Sequence, residues 1–257
     1  MGYLDYIQTL INKGVWSFSS TEMTEYLGYP SKDKLRLLRK NGRVLTPVRG
    51  FHIIVPEEYI YTNRLPVERY IDALMKHYSR PYYVGLLTAA SYYGASHQSP
   101  QSFQVITNYD KRNIQNGRNQ ILFYRKKNTA VIPIKKRNTA TGYLNISTPE
   151  ATLLDLVEFN RQIGGLDHVG VVISELVEKT SALSFIETVQ HYPDAYVQRA
   201  SYILEILGFD KICNSLDKYF AQKNIIYAYL NPSGNRERIN KHPRWKLFIN
   251  QELEFDS

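Results

Sequence analysis

The stretch SKDKLRLLRKNGRV, residues 31 to 44, sets six cations, Lys32, Lys34, Arg36, Arg39, Lys40 and Arg43, against one acid, Asp33. Cations at that density call for an anionic partner, nucleic acid among them. At about 100° per residue, Leu35 and Leu38 fall on one buried stripe with Leu37 beside it, while Lys32, Arg36 and Lys40 form an i, i+4, i+8 ridge on the opposite side. A helix of this kind fits the major groove of B-DNA, where an Arg fork can bond guanine O6 and N7 together and a Lys acts as a compact point charge. Lys32 and Arg36 are therefore assigned to base edges, with Arg36 carrying specificity, and Arg39 and Lys40 mainly to phosphates. A basic helix can equally be only a solvated face, so its neighbours must decide.

Those neighbours make a recognisable unit. Leu4, Ile7, Leu10 and Ile11 recur at helical spacing up to Lys13-Gly14. Ser19-Ser20-Thr21-Glu22 fits a capping box opening a second helix that Gly28 ends. Ser31 is expected to cap a third helix, running to an αL-type stop at Asn41-Gly42, so two short helices meet at a tight turn. Residues 43–48 and 51–55 are β-rich around the two-residue turn Arg49-Gly50, and Pro47, lacking a donor, belongs on an edge strand. Helix-turn-helix followed by a hairpin is a winged helix, which lowers the weight of the solvated-face reading. Arg43, Arg49 and His52 lie on the expected wing, where they would position DNA through phosphates or the narrow groove.

Pro56-Glu57-Glu58 closes this unit and residues 59–65 read as a linker, which gives a winged helix-turn-helix DNA-binding domain at 1–63 and a C-terminal effector domain at 64–257. The second domain is expected to open with a helix along Val67, Ile71, Leu74, Met75 and Tyr78. A more apolar helix follows over 82–95, in which Tyr82, Tyr83, Tyr92 and Tyr93 read as core rather than stacking surface. A sheet near 103–146 uses strands at 103–108, 121–126, 131–134 and 143–146, with turns at Asn116-Gly117 and Thr141-Gly142. Helices then fill 149–222, the first opened by Thr148 as N-cap and Pro149 at N1. A short strand, an Asn-Pro-Ser-Gly turn and an apolar group at Trp245, Leu247, Phe248 and Ile249 end the chain. The fold class is α+β, a winged helix followed by a larger mixed domain rich in helices.

A second basic surface is built from Lys111, Arg112, Arg118, Arg125, Lys126, Lys127, Lys135, Lys136 and Arg137. The two basic stretches, 29–55 and 108–137, hold the charge: the chain is +8 overall, and everything outside them is net acidic. This second cluster suits DNA flanks, RNA, an acidic protein or solubility alone.

Catalysis finds no foothold in the sequence. The six histidines show no HxxxH or HExxH spacing and the one cysteine, Cys213, stands alone, so neither a metal site nor a disulfide framework is expected. Glu175, Glu178 and Lys179, like Asp155 and Glu158, read as solvated helix faces rather than a nuclease triad. No phosphate-cradling GxxxxGK[ST], GxGxxG or GxSxG motif occurs, so no catalytic residue and no cofactor is expected. With 43% hydrophobic and 13% aromatic residues over 257 positions, the chain can bury a core. It has neither a signal-type N-terminus nor an 18-residue apolar run, so a soluble cytoplasmic protein without membrane contact is expected.

Three pieces carry a family resemblance: the winged helix with its Arg49-Gly50-Phe51 turn, the segment YYVGLLTAASYYGASHQSPQ running into FQVIT, and the helix start STPEATLLDLV. Together they resemble the AbiEi family, the antitoxins and viral-defence transcriptional regulators of AbiE-type (type IV) toxin-antitoxin systems. The resemblance spans roughly residues 5–180 and is most specific over 82–107. It implies a repressor that binds double-stranded DNA at inverted repeats in its own promoter. It also implies a C-terminal domain that counteracts a cognate nucleotidyltransferase toxin, in typical members without a stable complex. Carried across, the recognition helix falls on Lys32, Arg36, Arg39 and Lys40, and the wing on Arg43 and Arg49. The toxin itself would need a Gly-Ser motif followed by paired aspartates on a strand, and this chain has neither. The alternative is a stand-alone winged-helix regulator whose C-terminal domain senses a ligand or partner.

Overall fold

The computed structural model describes residues 2–61, 65–95, 100–116, 119–236 and 239–255. The chain begins α1 (Tyr3–Asn12), β1 (Ser17–Ser19), α2 (Ser20–Leu27), α3 (Lys32–Lys40), β2 (Val44–Val48) and β3 (Phe51–Ile54). The expected capping box is present: the Ser19 hydroxyl accepts from the Glu22 amide while the Ser19 amide donates to the Glu22 carboxylate. Gly28, Gly42 and Gly50 hold φ of 72°, 67° and 83°, so each turn uses a glycine where the backbone is left-handed. Ser31 does not cap α3. It is buried, accepts from Thr24 Oγ1 at 2.9 Å and donates to the Ser20 carbonyl at 3.4 Å, tying the start of α3 to α2.

The three strands pair in the order β1-β3-β2, both pairs antiparallel, which leaves Pro47 on an edge strand where its missing donor costs nothing. Tyr6, Ile7, Phe18, Met23, Leu35, Leu38, Val44 and Ile54 form one core cluster beneath these elements.

A short α4 (Glu57–Ile60) occupies the start of the expected linker. Then come α5 (Ile71–His77), β4 (Tyr82–Val84), α6 (Leu86–Tyr92), β5 (Phe103–Thr107), β6 (Ile114–Asn116), β7 (Asn119–Arg125), β8 (Ile134–Thr139) and β9 (Gly142–Ser147). The expected helix over 82–95 is a strand followed by a shorter helix. Tyr82, Tyr83 and Val84 are all buried and extended, Gly85 is extended, and Leu86 turns the chain with a φ of 55°. The expected strand at 131–134 is a 3-10 turn at Thr129–Val131, with β8 starting at Ile134. The β-sheet order is β6-β7-β5-β4-β9-β8; β5 runs parallel to β7, β4 runs parallel to β9, and β6 is antiparallel to β7. Of the turn expected at Asn116-Gly117, Asn116 ends β6 while Gly117 lies outside the described residues, as does the segment Ser96–Ser99.

The remaining helices are α7 (Pro149–Glu158), α8 (Gly165–Leu176), α9 (Ala182–Val189), α10 (Asp194–Ile206) and α11 (Asp210–Ala221). A small sheet of β10 (Ala228–Tyr229), β11 (Asn240–His242) and β12 (Leu247–Ile249) closes the chain. This makes the protein α+β. Two compact units share the sequence: 1–83 with 101–129 and 136–145, and 84–100 with 130–135 and 146–257. The boundary expected at 63/64 lies outside the described residues, and the first unit takes in sequence from both sides of it.

In the second unit α7 is the central element, buried from Pro149 to Val157. Thr148 caps it as expected, accepting from the Ala151 amide at 3.3 Å. The expectation that Asp155 lies on a solvated face is corrected: its carboxylate is fully buried and accepts from the Tyr192 hydroxyl at 2.9 Å. Glu150, also buried, accepts from the Ser181 amide at 3.2 Å. Buried carboxylates of this kind persist because donors are fixed onto them. No helix among the described residues is long and apolar enough to cross a membrane.

Candidate nucleic-acid interface

Helix α3 divides as its spacing dictates. Leu35 and Leu38 are 5% and 1% exposed and join the core, Leu37 flanks them at 40%, and Lys32, Arg36, Arg39 and Lys40 are all exposed. Arg39 folds back, its Nε donating to the Leu35 carbonyl at 3.3 Å, and Lys34 lies 5.3 Å from the centroid of the Tyr3 ring. The helix therefore offers an outward face of flexible cations on a rigid base of two leucines.

The hairpin distributes the expected wing residues unevenly. Arg49 is exposed at the turn, as its position requires. Arg43 sits at the opposite end of the hairpin, where it lines a cleft of about 270 Å³ together with Asp5 and Glu57. His52 is not on the surface. It is 3% exposed, with Nε2 2.8 Å from Ser20 Oγ and Nδ1 2.8 Å from Thr46 Oγ1, and its ring packs against Phe18 at 5.2 Å. Burial, with the Arg39 charge and His77 adding to it, lowers its pKa to about 4 and keeps the ring neutral near pH 7. A contact between His52 and DNA phosphate is thereby ruled out in this conformation, and the residue is a structural pin between β1, β2 and β3.

The second basic cluster is broken up in a similar way. Lys111 lies 3.8 Å from the centroid of the Tyr78 ring, and Arg125 is paired with Asp110 at 2.8 Å. Lys126 is 3% exposed, with its amide donating to the Thr107 carbonyl at 2.8 Å, which removes it from the expected surface. Arg112, Lys127, Lys135, Lys136 and Arg137 are exposed, the last three along β8, and Arg118 lies outside the described residues.

Residues 83–206, from β4 to the end of α10, match the family model described as the AbiEi antitoxin C-terminal domain. This segment, a little under half of the chain, therefore resembles an AbiEi antitoxin domain. The segment holds the buried strand-turn-helix, from its second residue Tyr83 onward, and the capped, buried α7, two of the three pieces on which the sequence resemblance rested. The chain also shares its fold with the crystal structure of the RV2827C protein from Mycobacterium tuberculosis. That likeness has a TM-score of 0.61 at 16% sequence identity and covers 95% of this chain and 89% of the other. No curated protein matches the sequence. The match supports an antitoxin role in a toxin-antitoxin system.

Proposed function

We propose that this chain is an AbiEi-type antitoxin and also the repressor of its own operon, with residues 1–63 acting as a winged helix-turn-helix that binds promoter inverted repeats. The observation that carries the reading is the division of α3 between two buried leucines and four exposed cations, set between a capped α2 and a glycine-turned hairpin. In that reading Lys32 and Arg36 reach base edges, while Arg39, Lys40 and Arg49 hold phosphates. Arg43 is placed in a supporting role because it shares its cleft with two acids. The exposed cations of the second cluster are proposed as a further anionic contact surface. The remainder of the chain counters a nucleotidyltransferase toxin without forming a stable complex with it, and the protein works in the cytoplasm.

Mobility-shift titration on the upstream promoter tests the DNA-binding half. Arg36→Ala should relax preference at one base pair by ~1–3 kcal/mol. The Lys32/Arg36/Lys40 triple alanine variant should lose specific binding and flatten the salt dependence, by a slope of about 0.9 for each phosphate contact removed. Unchanged affinity in that triple variant sinks the assignment. The same full-length variant, co-expressed with the adjacent gene, should still rescue growth, which separates antitoxicity from repression.

A further inference from the structure

A different donor-rich site stands at the end of α5 and in the loop after β5, both in the first unit. Tyr78 follows the last turn of α5 and Tyr109 follows β5, with ring centroids 6.2 Å apart at an interplanar angle of 65°. Lys111 Nζ lies 3.8 Å from the Tyr78 ring centroid, and the Arg80 guanidinium lies 5.2 Å from that of Tyr109. Both phenol hydroxyls, and Oδ1 of Asn108, the residue before Tyr109, are shut off from solvent and have no hydrogen-bond partner among the described residues.

Buried hydroxyls are ordinarily paired, so two orphan donors within one cluster require a reason. Burial raises the pKa of both tyrosines, Tyr78 to about 12, so both hydroxyls keep their hydrogens at neutral pH. The nearest acid in sequence, Asp110, is engaged by Arg125. Among the described residues the cluster therefore has O–H donors and two cations but no carboxylate paired with them. An acceptor-rich anion with several oxygens satisfies all of them together, because hydrogen bonds from cations to phosphate oxygens are short and strong. The Arg80 and Lys111 side chains lie against the two rings.

We propose that Tyr78, Tyr109, Lys111 and Arg80 bind a phosphate group. Asn108, whose amide turned over presents its NH2, adds a further donor. None of these residues lies on α3 or its hairpin, so the site stands or falls separately from operator recognition. The phosphate comes either from free inorganic phosphate or from a nucleic-acid strand, and the chemistry of capture is the same.

Calorimetric titration of the full chain with inorganic phosphate, against chloride at equal ionic strength, tests this. A second arm asks whether a single-stranded trinucleotide displaces the bound phosphate. Saturable phosphate binding is expected. It should weaken by on the order of tenfold or more in Tyr78→Phe/Tyr109→Phe, which removes only the two oxygens, and separately in Lys111→Met, which leaves both hydroxyls in place. Displacement by the trinucleotide assigns the site to nucleic acid, and failure to displace assigns it to free phosphate. Absence of saturable binding by either probe, or undiminished affinity in the two variants, overturns the proposal.

Discussion

Replacing His52 with Gln removes the one buried group in the hairpin whose proton affinity differs strongly between folded and unfolded chain. In the fold its pKa is lowered to about 4, whereas an unfolded histidine titrates near 6.5. Between those values the unfolded chain binds a proton that the folded ring excludes. The neutral ring therefore contributes fully above about pH 6.5, and that contribution is lost as the pH falls toward 4. At about 1.4 kcal/mol for each pH unit between the two values, the wild type loses about 3 kcal/mol across the window, most of it between pH 7.5 and pH 4.5. The side chain is 3% exposed and hydrogen-bonded at both nitrogens. His52→Gln should start less stable at pH 7.5 but lose less on acidification, and comparison with wild type cancels the ordinary carboxylates. Urea unfolding at the two pH values, read by tryptophan fluorescence, measures this, since the Trp16 carbonyl accepts from the Ile54 amide of β3 at 2.9 Å. Equal losses in the two proteins, or an NMR titration of the ring near pH 6.5 in the folded state, would refute the reasoning.

Leu38→Ala should destabilise the first unit by ~2–5 kcal/mol, because a fully buried leucine at the base of α3 leaves a cavity. Chemical denaturation gives the number, and a loss below ~1 kcal/mol would mean that α3 is not seated on the core as described. Tyr192→Phe takes one donor from the fully buried Asp155 carboxylate and should cost ~1–3 kcal/mol, seen as a lower melting temperature of the second unit. A neutral result there would show that the other contacts of Asp155 suffice.

Much of the N-terminal unit was legible because its signals are local: a capping box, glycines at left-handed turns, and a leucine stripe opposite a lysine-arginine ridge. Two of the misreadings share one physical cause, burial on both faces. Phe51, His52, Ile53 and Ile54 are all buried, so β3 lacks the alternation that would have marked one residue as inward and the next as outward. His52 therefore read as a wing residue. Tyr82, Tyr83 and Val84 are likewise buried throughout, and an apolar run of that kind cannot be told from a buried helix by periodicity. Lys126 and Asp155 failed for a related reason: charge predicts exposure only on average, and both side chains are enclosed. Ser31 had the composition of a cap, but its hydroxyl is used between helices, a tertiary choice that no short window of sequence encodes.

Strand β8 lies at the outer end of its sheet, and five of its six residues, from Ile134 to Asn138, are exposed. An edge strand of that length is a template onto which another polypeptide could add hydrogen bond by hydrogen bond. Lys135, Lys136 and Arg137 occupy the middle of that template. Two copies pairing edge to edge would bring six cations into register with no acid among them. Their mutual repulsion opposes such pairing, a safeguard against edge-to-edge association that holds whether or not they touch nucleic acid.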